Sequence, residues 1–167
     1  MKQILLSNNW RVLAATLLLC CGCFGVILYK PILSAREASP HVQCLSNMKQ
    51  LGTATAIYLA DANDRMPLDN WMSALYPYTK NAAMMNCSEL VREDKHFGYA
   101  YKFGLSGLDS TLIKTPENTV LYFETDALAK DLVVNLAART KTRHEGLSGV
   151  SFVDTHAKRL PADAKLK

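Results

Sequence analysis

An uncharged apolar run from Val12 to Tyr29, bracketed by Arg11 and Lys30, constrains this 167-residue chain more than any other feature. As a helix its 18 residues rise ~27 Å, close to the hydrocarbon thickness of a bilayer. The apolar region of a cleaved signal peptide is shorter, roughly 7–15 residues, and ends at a small-residue site. Here apolar residues continue past Gly22 and Gly25 to Tyr29. The sequence therefore predicts a retained transmembrane helix over 12–29, behind a short N-terminal segment, 1–11. A juxtamembrane segment follows over 30–43, punctuated by Pro31 and Pro40. The rest fits one modest domain over 44–161 and a flexible tail over 162–167.

The net charge of +4 resides mostly in the N-terminal segment. Lys2, Arg11 and Lys30 account for three of the 19 basic residues, so 16 face 15 acidic ones beyond residue 30. The two signs are interspersed, and the short cluster Arg139, Lys141 and Arg143 reads as a solvent-exposed loop. Nothing here marks a nucleic-acid partner. Charges flanking the apolar run are balanced and leave its orientation open.

Cys20, Cys21 and Cys23 lie inside the apolar run, where a thiol behaves as a small hydrophobe. Cys44 and Cys87 remain for the domain. Such an even pair suggests a disulfide if the domain lies outside the cytoplasm; two unpaired buried cysteines are the alternative. No CxxC pair is present, which argues against a zinc knuckle or dithiol motif.

From Cys44 to Ala62 the pattern turns helical, with Leu45, Met48, Gly52, Thr55 and Leu59 at spacings of three and four. The helix is expected to end in Asp61-Ala-Asn-Asp64, ahead of Pro67. A short helix from Trp71, capped by Asp69 or Asn70, would bury Trp71, Leu75 and Tyr78. Strands are expected over 97–103, 119–124, 150–153 and 157–160, separated by turns rich in Gly, Asp and Pro. Residues 127–138 suit either a helix or a strand. Helices first and strands later point to an α+β class with a small antiparallel sheet.

The phrase Cys44-Leu-Ser46-Asn47-Met-Lys49-Gln50-Leu-Gly52, followed by Tyr58, Asp61 and Asp64-Arg65-Met66-Pro67, resembles the prepilin-like, type II secretion pseudopilin-related proteins. Some of these carry a C-terminal signature of His, nine residues and Asp-Gly. Here His144 is followed by nine residues and Asp154, with Thr155 in place of Gly, and Arg143 and His156 flank the pattern as well. The resemblance implies a type IV pilin-like fold: one long N-terminal helix, transmembrane and then amphipathic, packed on a small sheet. It also implies a single-pass protein of the cytoplasmic membrane, N-terminus inside, with its domain on the periplasmic or extracellular side. The implied role is a non-enzymatic component of a pilus or secretion-like assembly, with the bilayer and other pilin-like or secretion-system subunits as partners. The chain departs from the family where a Gly cleavage site and a Glu would stand, having Asn8-Asn9-Trp10-Arg11-Val12 instead. That departure leaves an alternative open beside this role: a stand-alone anchored envelope binding module, with a metal among its candidate ligands, outside any filament.

His144, Asp154 and His156 are the sharpest candidate ligands, since two imidazoles and a carboxylate suit a transition metal. A structural turn is the competing reading, because Asp in a tight turn bonds its own backbone. Asp61 and Asp64 read as helix termination, for the Gly and distal Glu of a calcium loop are absent. No cofactor is required by this sequence, although a divalent ion, zinc or calcium, is compatible with it. Signatures of nucleophilic, metalloprotease and phosphate-loop enzymes are absent, so the chain reads as a non-enzyme.

Overall fold

The computed structural model describes residues 10, 13, 17, 20, 40–92, 95–140, 143–161 and 163–166. Two units divide the chain, Met1–Ala38 and Ser39–Lys167. In the first, Trp10, Leu13, Leu17 and Cys20 are helical and exposed. The remainder of the expected span 12–29 lies outside the described residues. Among the described residues, no helix is long and apolar enough to cross a membrane. This corrects the expected pilin-like helix, in which one rod continues from the bilayer into the domain. The anchored, N-inside placement and the lipid partnership are corrected with it.

Helix α1 spans Pro40–Asp61, 22 residues. Its buried side is Cys44, Met48, Leu51, Gly52, Ala54 and Thr55, which keeps Met48, Gly52 and Thr55 of the expected stripe and leaves its ends, Leu45 and Leu59, half-buried. At Gly52 backbone replaces side chain at the contact with the β4–β5 region. A Cβ there would lie 2.9 Å from Ser151 Oγ and 3.3 Å from Thr155 Cα. The helix ends where expected, with Asn63 and Asp64 left-handed at φ 51° and 59°.

Helix α2, Trp71–Thr79, buries Trp71, Met72 and Leu75. Asn70 occupies the cap position without a side-chain bond, and the orphan amide of Met72 instead donates to Asp131 Oδ1 at 2.7 Å. A long-range carboxylate thus replaces the local cap expected from the sequence. A third helix, α3, spans Ser88–Arg92.

Five strands form one sheet: β1 (Tyr99–Lys102), β2 (Val120–Glu124), β3 (Val133–Val134), β4 (Leu147–Phe152) and β5 (Ala157–Pro161). Their spatial order is β3-β1-β2-β4-β5. The pairs β1–β2, β2–β4 and β4–β5 are antiparallel, whereas β3 joins β1 in parallel. The sheet is therefore mixed, and the α+β class holds without the purely antiparallel pilin-like sheet. Residues 127–138 resolve into β3 and a single 3₁₀ turn, Leu136–Ala138.

One apolar cluster joins Met48 and Leu51 of α1 to Trp71 and Leu75 of α2 and to Tyr101 and Tyr122 of the sheet. Trp71 lies against Tyr122, ring centroids 4.8 Å apart. Tyr122 carries its hydroxyl into this core by bonding Thr55 Oγ1 at 2.8 Å, which removes the cost of burying both groups unpaired. A second cluster, Ala100, Val120, Phe123, Val150 and Phe152, is covered by Leu132, Val134, Leu136, Leu160 and Leu166. The basic cluster expected on the surface is instead largely inside: Arg139 and Arg143 are 6% and 8% exposed. Arg139 donates to the carbonyls of Pro161 and Ala164, tying the 163–166 tail to the domain.

Replacing Trp71 by Ala removes a fully buried indole, so urea denaturation should show a loss of about 3–5 kcal/mol. Leu112→Ala, at a side chain 66% exposed, should stay within about 0.5 kcal/mol of wild type. Equal losses for the two variants would refute this placement of the core.

Candidate metal centre

Four segments deliver one side chain each to a single buried point. Cys44 comes from the first turns of α1, Cys87 from the residue before α3, Glu124 from the end of β2, and His144 from the turn entering β4. All four are buried, with one ligand atom from each within 4.8 Å of the others. Cys44 Sγ and Cys87 Sγ are 2.6 Å apart. His144 Nε2 lies 3.0 Å from Glu124 Oε1 and 3.8 Å from Cys87 Sγ.

Each of these residues is positioned by backbone around it. Tyr99 donates its hydroxyl to the Cys44 carbonyl at 3.4 Å, fixing the first turn of α1 over β1. The Cys87 amide donates to the Phe97 carbonyl at 2.8 Å, and the Phe97 amide donates to Asn86 Oδ1 at 2.6 Å. Asn47 reaches across from α1 to donate to the Asn86 carbonyl at 3.2 Å. Glu124 Oε2 accepts the Gly149 amide at 2.8 Å. Gly149 is required here, because a Cβ would come within 2.8 Å of Met48 Sδ and 3.2 Å of Glu124 Cδ. His144 sits at φ 52°, and the buried Arg143 beside it donates to the carbonyls of Gly98 and Thr125.

Around the four lies an outer set. His144 Nδ1 is 2.6 Å from Glu89 Oε2, which leaves Nε2 turned toward the sulfurs and Glu124. Ser88 Oγ lies 3.3 Å from Cys44 Sγ. A histidine whose far nitrogen meets a carboxylate is the usual arrangement around a protein-bound zinc ion. Two thiolates, one imidazole and one carboxylate match the ligand chemistry of tetrahedral zinc. Calcium, which takes six to eight oxygens, has one carboxylate here and does not fit. Tetrahedral Zn–S bonds of about 2.3 Å place two sulfurs about 3.7 Å apart, so loading would spread Cys44 and Cys87 by about 1 Å.

The expected disulfide between Cys44 and Cys87 is corrected: both are free cysteines in close contact. Counting the thiols left for the domain pointed to the right partners but to the wrong bond. Of the three candidate ligands read from the sequence, His144 enters the cluster. Asp154 and His156 pair with each other in the β4–β5 turn, His156 Nδ1 lying 2.5 Å from Asp154 Oδ1. That turn holds Thr155 at φ 75°, so it tolerates strain where glycine would have none. Glu124 was missed, because in Val-Leu-Tyr-Phe-Glu it reads as the polar end of a strand. Its only sequence signal is that a carboxylate closes a run of four apolar residues. Of the other motif residues, Cys44 joins the cluster, and Asn47 and Arg143 bond the backbone around it. Ser46, Lys49 and Gln50 face solvent on the opposite side of the helix.

Compared with known family models, curated proteins and solved structures, the chain matches none. The membrane-anchored pseudopilin-like component expected from the sequence is corrected on structural grounds. No helix among the described residues is long and apolar enough to span a bilayer, and the domain's distinctive feature is a ligand cluster.

The thiols and the imidazole share protons. The Cys87 thiol donates to Cys44 and, against the cost of burial, holds its pKa down at about 3. Cys87 is pushed up by the same bond and by burial. Burial alone would lower His144, but bonding to Cys44 and Glu124 outweighs it and raises the imidazole to about 10. In metal-free protein the depressed Cys44 adds stability that grows between about pH 3 and its ordinary value of 9.0. The raised His144 adds stability that is complete below 6.5 and lost as pH rises through about 10. The two slopes oppose each other from 6.5 to 9, and above 9 His144 and Cys87 both act downward. Urea midpoints of chelator-treated protein should rise to about pH 6.5, hold level to about pH 9, and then fall. A midpoint still climbing between pH 9 and 10 would contradict this proton arrangement.

Proposed function

We propose that this protein is a non-enzymatic metal-binding module whose domain is clasped by one divalent ion, zinc by preference, held by Cys44, Cys87, Glu124 and His144. One observation carries the reading: four ligand atoms from four separate segments converge within 4.8 Å in the core. The ion would tie the start of α1 to the end of β2, the entry of β4 and the loop before α3. A donor set of four protein side chains, all buried, leaves no coordination position for a substrate, which is the pattern of structural centres and not of catalytic ones. The low pKa of Cys44 supplies one thiolate in advance, whereas His144 must lose its proton before its Nε2 can coordinate. Binding should accordingly release protons and tighten as pH rises.

Elemental analysis of the protein after dialysis against zinc should give about one zinc per chain. Cys87→Ser and His144→Ala should lower that to a small fraction, while Asp154→Asn and His156→Ala leave it unchanged. Cobalt(II) substituted into wild type should show thiolate charge-transfer and tetrahedral d–d bands. Free zinc at about 100 times its Kd should stabilise the fold by about 2.7 kcal/mol. Equal, negligible metal in wild type and His144→Ala, or recovery of Cys44 and Cys87 as a disulfide from zinc-treated protein, would overturn the reading.

A further inference from the structure

Beside α2 the surface opens into a cleft of about 430 Å³, at the smaller end of the range for small-molecule sites. Its floor is Met72 and Met85, 3% and 6% exposed, with the rings of Tyr76 and Phe97 also lining it. Methionine is a pliable partner for aromatic rings, so this floor suits a flat apolar group. Among the described lining residues the charged side chain is Lys130, with His96 and Tyr76 as further polar groups, and none of them is acidic. Lys130 Nζ is 3.9 Å from Asp131 Oδ2, a long exposed pair, while Asp131 Oδ1 already accepts the Met72 amide.

Phe97 adds an independent observation. It is held at φ 67°, a backbone conformation that bulky side chains rarely adopt. The Asn86 side chain and the Cys87 amide bond its two peptide groups and keep it there. Strain of this kind persists where the surroundings over-determine a position, and it gathers at ligand sites. Here it fixes the residue whose ring forms part of the cleft wall.

We propose that this cleft binds a small aromatic carboxylate, its ring on Met72 and Met85 beside Tyr76 and Phe97, and its carboxylate toward Lys130 and His96. The occupant's aromatic character follows from the floor and walls, and its charge from the Lys130 ammonium in the lining, with the His96 ring beside it as a hydrogen-bond partner. The site goes beyond the metal centre, and none of the four ligand residues lines it.

Isothermal titration of the zinc-loaded full chain with 4-phenylbutyrate, and with its neutral amide, tests this. The acid should bind saturably at one per chain and more tightly than the amide. Ala82→Trp, a filling change at an exposed position on the cleft lining, should weaken the acid about tenfold or more. Lys130→Glu should weaken the acid several-fold and leave the amide unaffected. Failure of the acid to saturate, equal binding by wild type and Ala82→Trp, or equal affinity for acid and amide would each overturn the proposal. Zinc measured in the same samples keeps the two readings apart: full metal content with no acid binding sinks the cleft alone.

Discussion

Ionisable groups buried side by side must neutralise one another, and in this domain that requirement falls on Cys44, Cys87, Glu124 and His144. Each sits in the core with 5% exposure or less. An isolated carboxylate or imidazolium there would be strongly destabilising, so the set holds together through shared protons or through a shared cation. Both solutions demand that four separate segments arrive at one point. The seating of α1 on the sheet, the glycine at 149 and the bonds of Asn47, Asn86 and Arg143 all serve that meeting. Removing one member leaves the others buried and uncompensated, which is strongly destabilising.

Much of the domain was legible in the sequence because its signals are local. The three-and-four spacing from Cys44 onward and the stop at Asp61-Ala-Asn-Asp64 gave α1 nearly its observed bounds. Trp71 and Leu75 marked the buried side of α2, and Val120–Glu124 announced β2. The face of α1 was read correctly at Met48 and Thr55 and missed Cys44, Leu51 and Ala54, while Gly52 was counted as one more side chain of the stripe. Its actual contribution is the lack of a side chain, which admits the β4–β5 turn. The parallel edge strand β3 is two residues long and owes its existence to β1, a partner some 30 residues away that no local pattern announces.

The site was half legible for the same reason. Cysteine counting paired Cys44 with Cys87, and the motif resemblance singled out His144, yet neither reading could bring the two sets together. That required the register of β2 against β4, in which Phe123 faces Val150 and Glu124 follows beside Gly149. Asp154 and His156 were attractive for being near each other in sequence. Proximity of that kind more often closes a turn than assembles a site, and the Asp154 carboxylate here accepts both the His156 amide and its ring nitrogen.

Backbone strain separates what the local sequence prefers from what the site imposes. His144 and Phe97 both lie in the left-handed region, at φ 52° and 67°, where neither residue type settles readily on its own. One is a member of the buried cluster, and the other receives the amide of Cys87, the cluster's second sulfur. A chain free to relax would place these residues in ordinary extended conformations and turn the imidazole away from Glu124. That it does not shows the long-range bonds of this region outweighing local preference. The ligand geometry is thus a property of the assembled domain, carried by residues as distant in sequence as 44 and 144.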